Sequence, residues 1–130
     1  MRKFARELVY QNLFSYLFLK TPDGDTLNAL LNGAEELTDS DKEYAIKLYN
    51  LAVENYDNTI NEIAAVTKDY GVERIFKADL CALILALTEI KHLPEIPKIT
   101  AVDEAVALVK KYSTENSTGF VNGLLAEFVK

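Results

Sequence analysis

Leu80-Cys81-Ala82-Leu83-Ile84-Leu85-Ala86-Leu87 is the longest apolar run in the chain. A bilayer span needs about 20 such residues, so this run is far too short to cross a membrane. It lies inside Ile75 to Lys91, a segment without proline or glycine. That segment reads as one helix, apolar all round at its centre and therefore the core element of the fold. Cys81 is the only cysteine, so an internal disulfide is excluded. Within this run it reads as a small buried hydrophobe rather than a reactive thiol.

The same spacing extends outward in both directions. Toward the C-terminus, His92 to Pro97 reads as a loop. Thr100 and Asp103 give an S/T-x-x-D helix start. Val102, Ala105, Val106, Val109 and Tyr112 then form one stripe. Ser113 to Ser117 reads as a polar turn before a last helix carrying Phe120, Val121, Leu124, Leu125 and Phe128. Gly119 and Gly123, four residues apart there, suggest close approach of a neighbouring backbone. Asn122, between them, reads as a polar residue bonded to a nearby loop.

Toward the N-terminus, a helix from about Lys3 to Leu19 is apolar on most sides. Thr21 to Asp25 reads as a turn. A short helix follows near Thr26 to Asn32, stopped by Gly33. Ser40-Asp41-Lys42-Glu43 matches a capping box, and the helix it opens breaks at Asn55 to Asn58. Another helix carries Ile60, Ile63, Ala64 and Val66 as far as Tyr70-Gly71. Prolines occur only at 22, 94 and 97, and strict alternation is absent. The fold expected is all α, in one domain of 130 residues with no repeat or dividing linker. Leu83, Leu87, Val106, Val109, Phe120 and Leu124 are expected in its core.

The formal charge is −6, which by itself argues against nucleic acid as a partner. Its distribution is uneven. Arg2, Lys3, Arg6 and Lys20 face only Glu7 in the first twenty residues, making the N-terminal helix the one net-positive segment. Arg2, Lys3 and Arg6 fall within an arc of roughly 100° on that helix, where they can meet successive phosphates. From composition alone, a solvated helix end is the favoured reading of the same three cations. The apolar stretch of the helix is interrupted by Glu7, Gln11, Asn12 and Ser15, which fits no secretory signal. A cytoplasmic protein is expected.

Nothing in the sequence points to catalysis. His92 is the only histidine, and a metal site needs further ligands at defined spacing. The carboxylate pairs Glu35-Glu36 and Asp103-Glu104 are sequence neighbours, which diverge on a helix. No glycine-rich phosphate loop follows a strand. Neither enzyme, metal nor cofactor is expected.

Phe120-Val121-Asn122-Gly123-Leu124-Leu125 resembles the FVNG[VI]L signature near the end of NusB proteins. Ile96-Pro97 followed by Ala101 to Tyr112, and the helix from Asp79 to Ile90, are similar to two further segments of that family. At the front, Ala5-Arg6-Glu7, Gln11 and Leu13-Phe14 resemble its R-x-x-A-R-E-x-A-x-Q-x-L-Y pattern. The resemblance implies a NusB-like fold of two small helical bundles, here about 1–70 and about 71–130. It implies an RNA-binding adaptor of transcription antitermination that binds boxA RNA of ribosomal RNA operons together with the ribosomal protein NusE, within the RNA polymerase antitermination complex. Homodimers and monomers both occur in the family.

By position in the matched motifs, Arg2, Lys3, Arg6 and Gln11 are the implied RNA contacts. Phe14, Asp79, Glu115, Asn116 and Phe120 are the implied NusE surface. The chain departs from the family pattern at Ile84, Thr88 and Asp103, and it has a shorter arginine run. Fewer cations release fewer counterions, so a modest intrinsic RNA affinity is expected. Two other readings differ in class. One is a NusB-like protein-interaction module without RNA binding. The other is the accessory helical domain of certain ribosomal RNA cytosine methyltransferases, which requires this chain to be a fragment.

Overall fold

The computed structural model describes residues 2–67 and 71–130, and no strand occurs among them. Among the described residues, seven α-helices follow one another: α1 (Arg2–Leu19), α2 (Gly24–Asn32), α3 (Asp39–Glu54), α4 (Tyr56–Val66), α5 (Lys77–His92), α6 (Lys98–Tyr112) and α7 (Ser117–Leu125). Short 3-10 turns at Val72–Arg74 and Ala126–Phe128 precede α5 and follow α7. The chain divides into two compact units, Met1–Glu54 and Asn55–Lys130. The division falls at the break expected from Asn55, not near residue 70. α4 belongs with α5, to which Glu62 is tied by an ion pair with Lys91 at 2.6 Å.

In the first unit, α1 packs chiefly on α3, and α2 packs on both. Ala5, Leu8, Val9, Leu13 and Leu17 of α1 are buried, following the three-to-four spacing of a helix face. Asn12 is buried among them, and its amide donates to the Leu8 carbonyl at 3.1 Å. α1 stops at Lys20, whose φ of 57° is left-handed. Its N–H donates to the Tyr16 carbonyl at 2.8 Å, and its ammonium donates to the Leu17 carbonyl. Glycine fits that position without steric cost. Lys20→Gly is expected to raise stability by about 0.5–1 kcal/mol, measured as a higher denaturant midpoint at unchanged m-value.

Asp23 caps α2. One carboxylate oxygen accepts from the Thr26 N–H at 3.0 Å and the other from the Thr26 hydroxyl at 2.6 Å. The Thr26 side-chain bond, then its backbone bond, lower the Asp23 pKa. The Asp23 N–H donates to the Tyr49 hydroxyl at 2.9 Å, tying the turn to α3. The capping box of α3 lies two residues before the expected one. The Thr38 N–H donates to Asp41 Oδ2 at 3.2 Å, and the Asp41 N–H donates to Thr38 Oγ1 at 3.1 Å.

In the second unit, α5 packs against α4, α6 and α7. Every residue from Asp79 to Ile90 is buried, as the all-round apolar run requires. Full burial pushes the Cys81 thiol pKa well above its ordinary value. Thr88 is accommodated by donating its hydroxyl to the Ile84 carbonyl at 2.7 Å. α5 begins at Lys77, after the 3-10 turn and an extended Ile75, rather than at Ile75. α6 begins at Lys98 beneath Pro97, so Thr100 and Asp103 lie inside it instead of starting it. Proline fixes φ near the helical value and loses only a donor that a helix start does not use.

Leu83, Leu87, Val109 and Leu124 are core residues as expected, whereas Val106 and Phe120 are only half-buried. A Cβ at Gly119 or Gly123 would meet nothing within 4 Å, so no backbone approaches there. Asn122 is exposed rather than bonded to a loop. α4 ends at Val66, where the Thr67 N–H and hydroxyl both bond the Ile63 carbonyl. Its expected continuation to Tyr70 lies outside the described residues.

Candidate functional site

Two surfaces, one in each unit, carry the residues singled out from the sequence. On the first unit, Tyr44 of α3 lies beside two cations of α1, Arg2 and Arg6. The Arg2 guanidinium lies 4.3 Å from the centre of the Tyr44 ring, and that of Arg6 lies 5.4 Å from it. Arg2 also reaches Asp41 at 4.0 Å and Ser40 at 3.4 Å. Arg2 and Lys3 are exposed, but Arg6 is only 4% exposed. The expectation that Arg6 faces phosphate is corrected on that point. Helical spacing places it beside Arg2, but it is buried, with its guanidinium near the Tyr44 ring. It holds the ring on which Arg2 rests.

Gln11 is exposed farther along α1. Phe14 follows at i+3, half-buried, with Phe18 at i+7 on the same face. The two rings meet edge-on, 5.1 Å between centroids and 62° between planes. Phe18 is 58% exposed.

On the second unit, Asp79 at the start of α5 and Asn116 and Phe120 around the start of α7 line one recess of about 200 Å³. The fold thus brings these three expected partner contacts together. Glu115 turns instead into a neighbouring recess beside Val106, Lys110 and Thr118. Phe14 belongs to the first unit.

The join between α5 and α7 is a chain of hydroxyls. Ser113 donates to Asp79 Oδ1 at 2.6 Å, and Ser117 donates to Ser113 at 2.9 Å. The Thr114 hydroxyl lies 2.9 Å from that of Ser117, and its N–H donates to Ser117 at 3.2 Å. Asp79 is 4% exposed and Ser117 is 1% exposed, so these bonds hold polar groups that burial would otherwise penalise.

Sequence reasoning missed Arg74 and Phe76 at the mouth of this recess. Placing Ile75 at the head of a helix hid them. The 3-10 turn instead leaves Phe76 as the residue before α5, 60% exposed. The signal available was a cation and an aromatic just after Gly71. His92 is exposed. Among the described residues, no group of three His, Cys, Asp or Glu side chains is placed to hold a metal ion. None of the described helices is long and apolar enough to cross a membrane.

An all-helical chain with a cation-and-aromatic helix face and an aromatic-rimmed polar recess is a helical interaction module. It belongs to the NusB family, whose model matches residues 3–130. The transcription antitermination protein NusB of Clostridium botulinum strain Alaska E43 is 35% identical over 133 residues, covering 99% of this chain and 98% of that protein. NusB of Acetivibrio thermocellus is 32% identical over 129 residues, covering 99% and 88%. Among solved structures, T. maritima NusB superposes with a TM-score of 0.89 at 29% identity, covering 99% of this chain and 90% of that one. A structure of antitermination factors NusB and NusE in complex with double-stranded RNA matches with a TM-score of 0.83 at 26% identity, covering 98% and 95%.

Proposed function

We propose that this chain is a cytoplasmic, non-catalytic adaptor of transcription antitermination that binds boxA RNA together with NusE. The observation that carries the reading is the recess uniting Asp79, Asn116 and Phe120, in a chain whose fold is that of a NusB bound to NusE and RNA. RNA contact is assigned to the exposed Arg2, Lys3 and Gln11 of α1, with Arg6 supporting Arg2 through Tyr44. NusE contact is assigned to Phe14, Asp79, Asn116 and Phe120, with Glu115 at the edge.

The test is a titration of boxA RNA into the chain with and without NusE. Tighter binding by the pair than by either protein supports the adaptor, and no RNA binding by the pair refutes it. Lys3 forms no ion pair among the described residues and is the cleanest phosphate probe. Lys3→Ala is expected to lower the slope of log affinity against log salt by about 0.7, one phosphate contact on a single strand. An unchanged slope moves the RNA path off this end of α1.

A further inference from the structure

We propose that Arg2 is a stacking platform for one unpaired base of the RNA, with Tyr44 as the shelf behind it. The inference rests on the proposed adaptor role and specifies what Arg2 touches, a base rather than a phosphate. Arg2 opens α1 and Tyr44 lies on α3, so the shelf is tertiary and belongs wholly to the first unit. The Arg2 guanidinium carbon sits over the Tyr44 ring, 4.3 Å from its centre. Its edge meets two acceptors. Nη2 donates to the Ser40 hydroxyl at 3.4 Å, and Nε lies 4.0 Å from Asp41 Oδ1. The side chain nevertheless stays 43% exposed. Tyr44 takes one face and Asp41 and Ser40 take an edge, which leaves the opposite face for a ligand.

Charge and shape favour the same ligand. A guanidinium is planar, weakly hydrated and stacks on π faces, whereas attraction of phosphate draws on uncompensated charge. The Arg2 charge is partly met by Asp41. Lys3, exposed and without an ion pair among the described residues, is the freer charge on the same turn of helix. Arg6 is 4% exposed and offers no open face. Of these three cations, Arg2 alone combines an aromatic backing with an open side. Bases of single-stranded RNA stack on arginine planes as they do on aromatic rings. A plane already held by a ring, a hydroxyl and a carboxylate loses little further freedom when a base arrives.

The experiment titrates boxA RNA into the full chain paired with NusE, using intact RNA and a series lacking the base at one nucleotide at a time. No binding of intact RNA by the wild-type pair refutes the adaptor reading itself, and with it the ligand named here. If it binds, Arg2→Lys keeps the charge and loses the plane. It is expected to weaken intact RNA at least about fivefold at an unchanged salt slope. Removing one particular base is expected to weaken the wild-type pair comparably and to leave Arg2→Lys unaffected, because both changes delete the same contact. Tyr44→Leu removes the shelf and is expected to weaken intact RNA about threefold, whereas Tyr44→Phe is expected to restore most of that loss. Circular dichroism on each variant verifies the fold. Full affinity in Arg2→Lys reduces Arg2 to a point charge and overturns the platform. A weakened Arg2→Lys that still responds to every base the wild type reads assigns the plane to a phosphate and equally overturns it. Full affinity in a folded Tyr44→Leu chain removes the shelf.

Discussion

Leu87→Ala is expected to cost about 2–5 kcal/mol of folding stability, the largest effect of any single side-chain truncation proposed here. Leu87 is 1% exposed and lies one residue before the buried Thr88. α5 is packed by α4, α6 and α7, so the space left by a leucine side chain has no solvent side through which to collapse. The loss comprises the transfer free energy of the removed carbons and the unfilled cavity together. Equilibrium urea unfolding followed by circular dichroism measures it as a lower midpoint. A change below about 0.5 kcal/mol is the size of an ordinary surface substitution and would show that α5 is not the core.

Asp79→Lys is expected to abolish NusE binding and with it the joint affinity for boxA RNA. Reversing the charge removes a carboxylate that lines the recess, breaks the bond from Ser113, and places a cation in the proposed NusE contact. Removing one member of a desolvated polar contact commonly costs 2–5 kcal/mol in binding, roughly thirtyfold to several thousandfold. RNA binding by the isolated chain is expected to stay weak and unchanged, because the RNA contacts are assigned to α1. Survival of both NusE binding and joint RNA affinity in a folded Asp79→Lys chain would remove Asp79 from the interface.

The sequence displayed the fold more fully than the sites. α5 was legible because a helix buried on every side must be apolar on every side, and Leu80 to Leu87 satisfy that without a tertiary argument. Helix starts were less legible. Thr38 to Asp41 and Ser40 to Glu43 are overlapping frames with the same cap chemistry, and only the hydrogen bonds choose between them. Helical spacing put Arg2, Lys3 and Arg6 on one arc, but spacing carries no information about tertiary packing, which buries Arg6 and leaves Arg2 exposed. The hydroxyl chain behind the recess was out of reach for a related reason. Asp79 and Ser113 lie 34 residues apart, and nothing local to either signals the bond between them.

Cys81 gives the molecule a built-in clock. A thiol that is fully covered and whose proton is held by burial reacts with an alkylating reagent only while the structure around it is open. Its labelling rate, divided by that of an exposed cysteine in a peptide, therefore reports how often the centre of α5 becomes accessible. In the unmodified chain, slower labelling in the presence of NusE or RNA would register, at a position remote from solvent, how much either ligand steadies the interior.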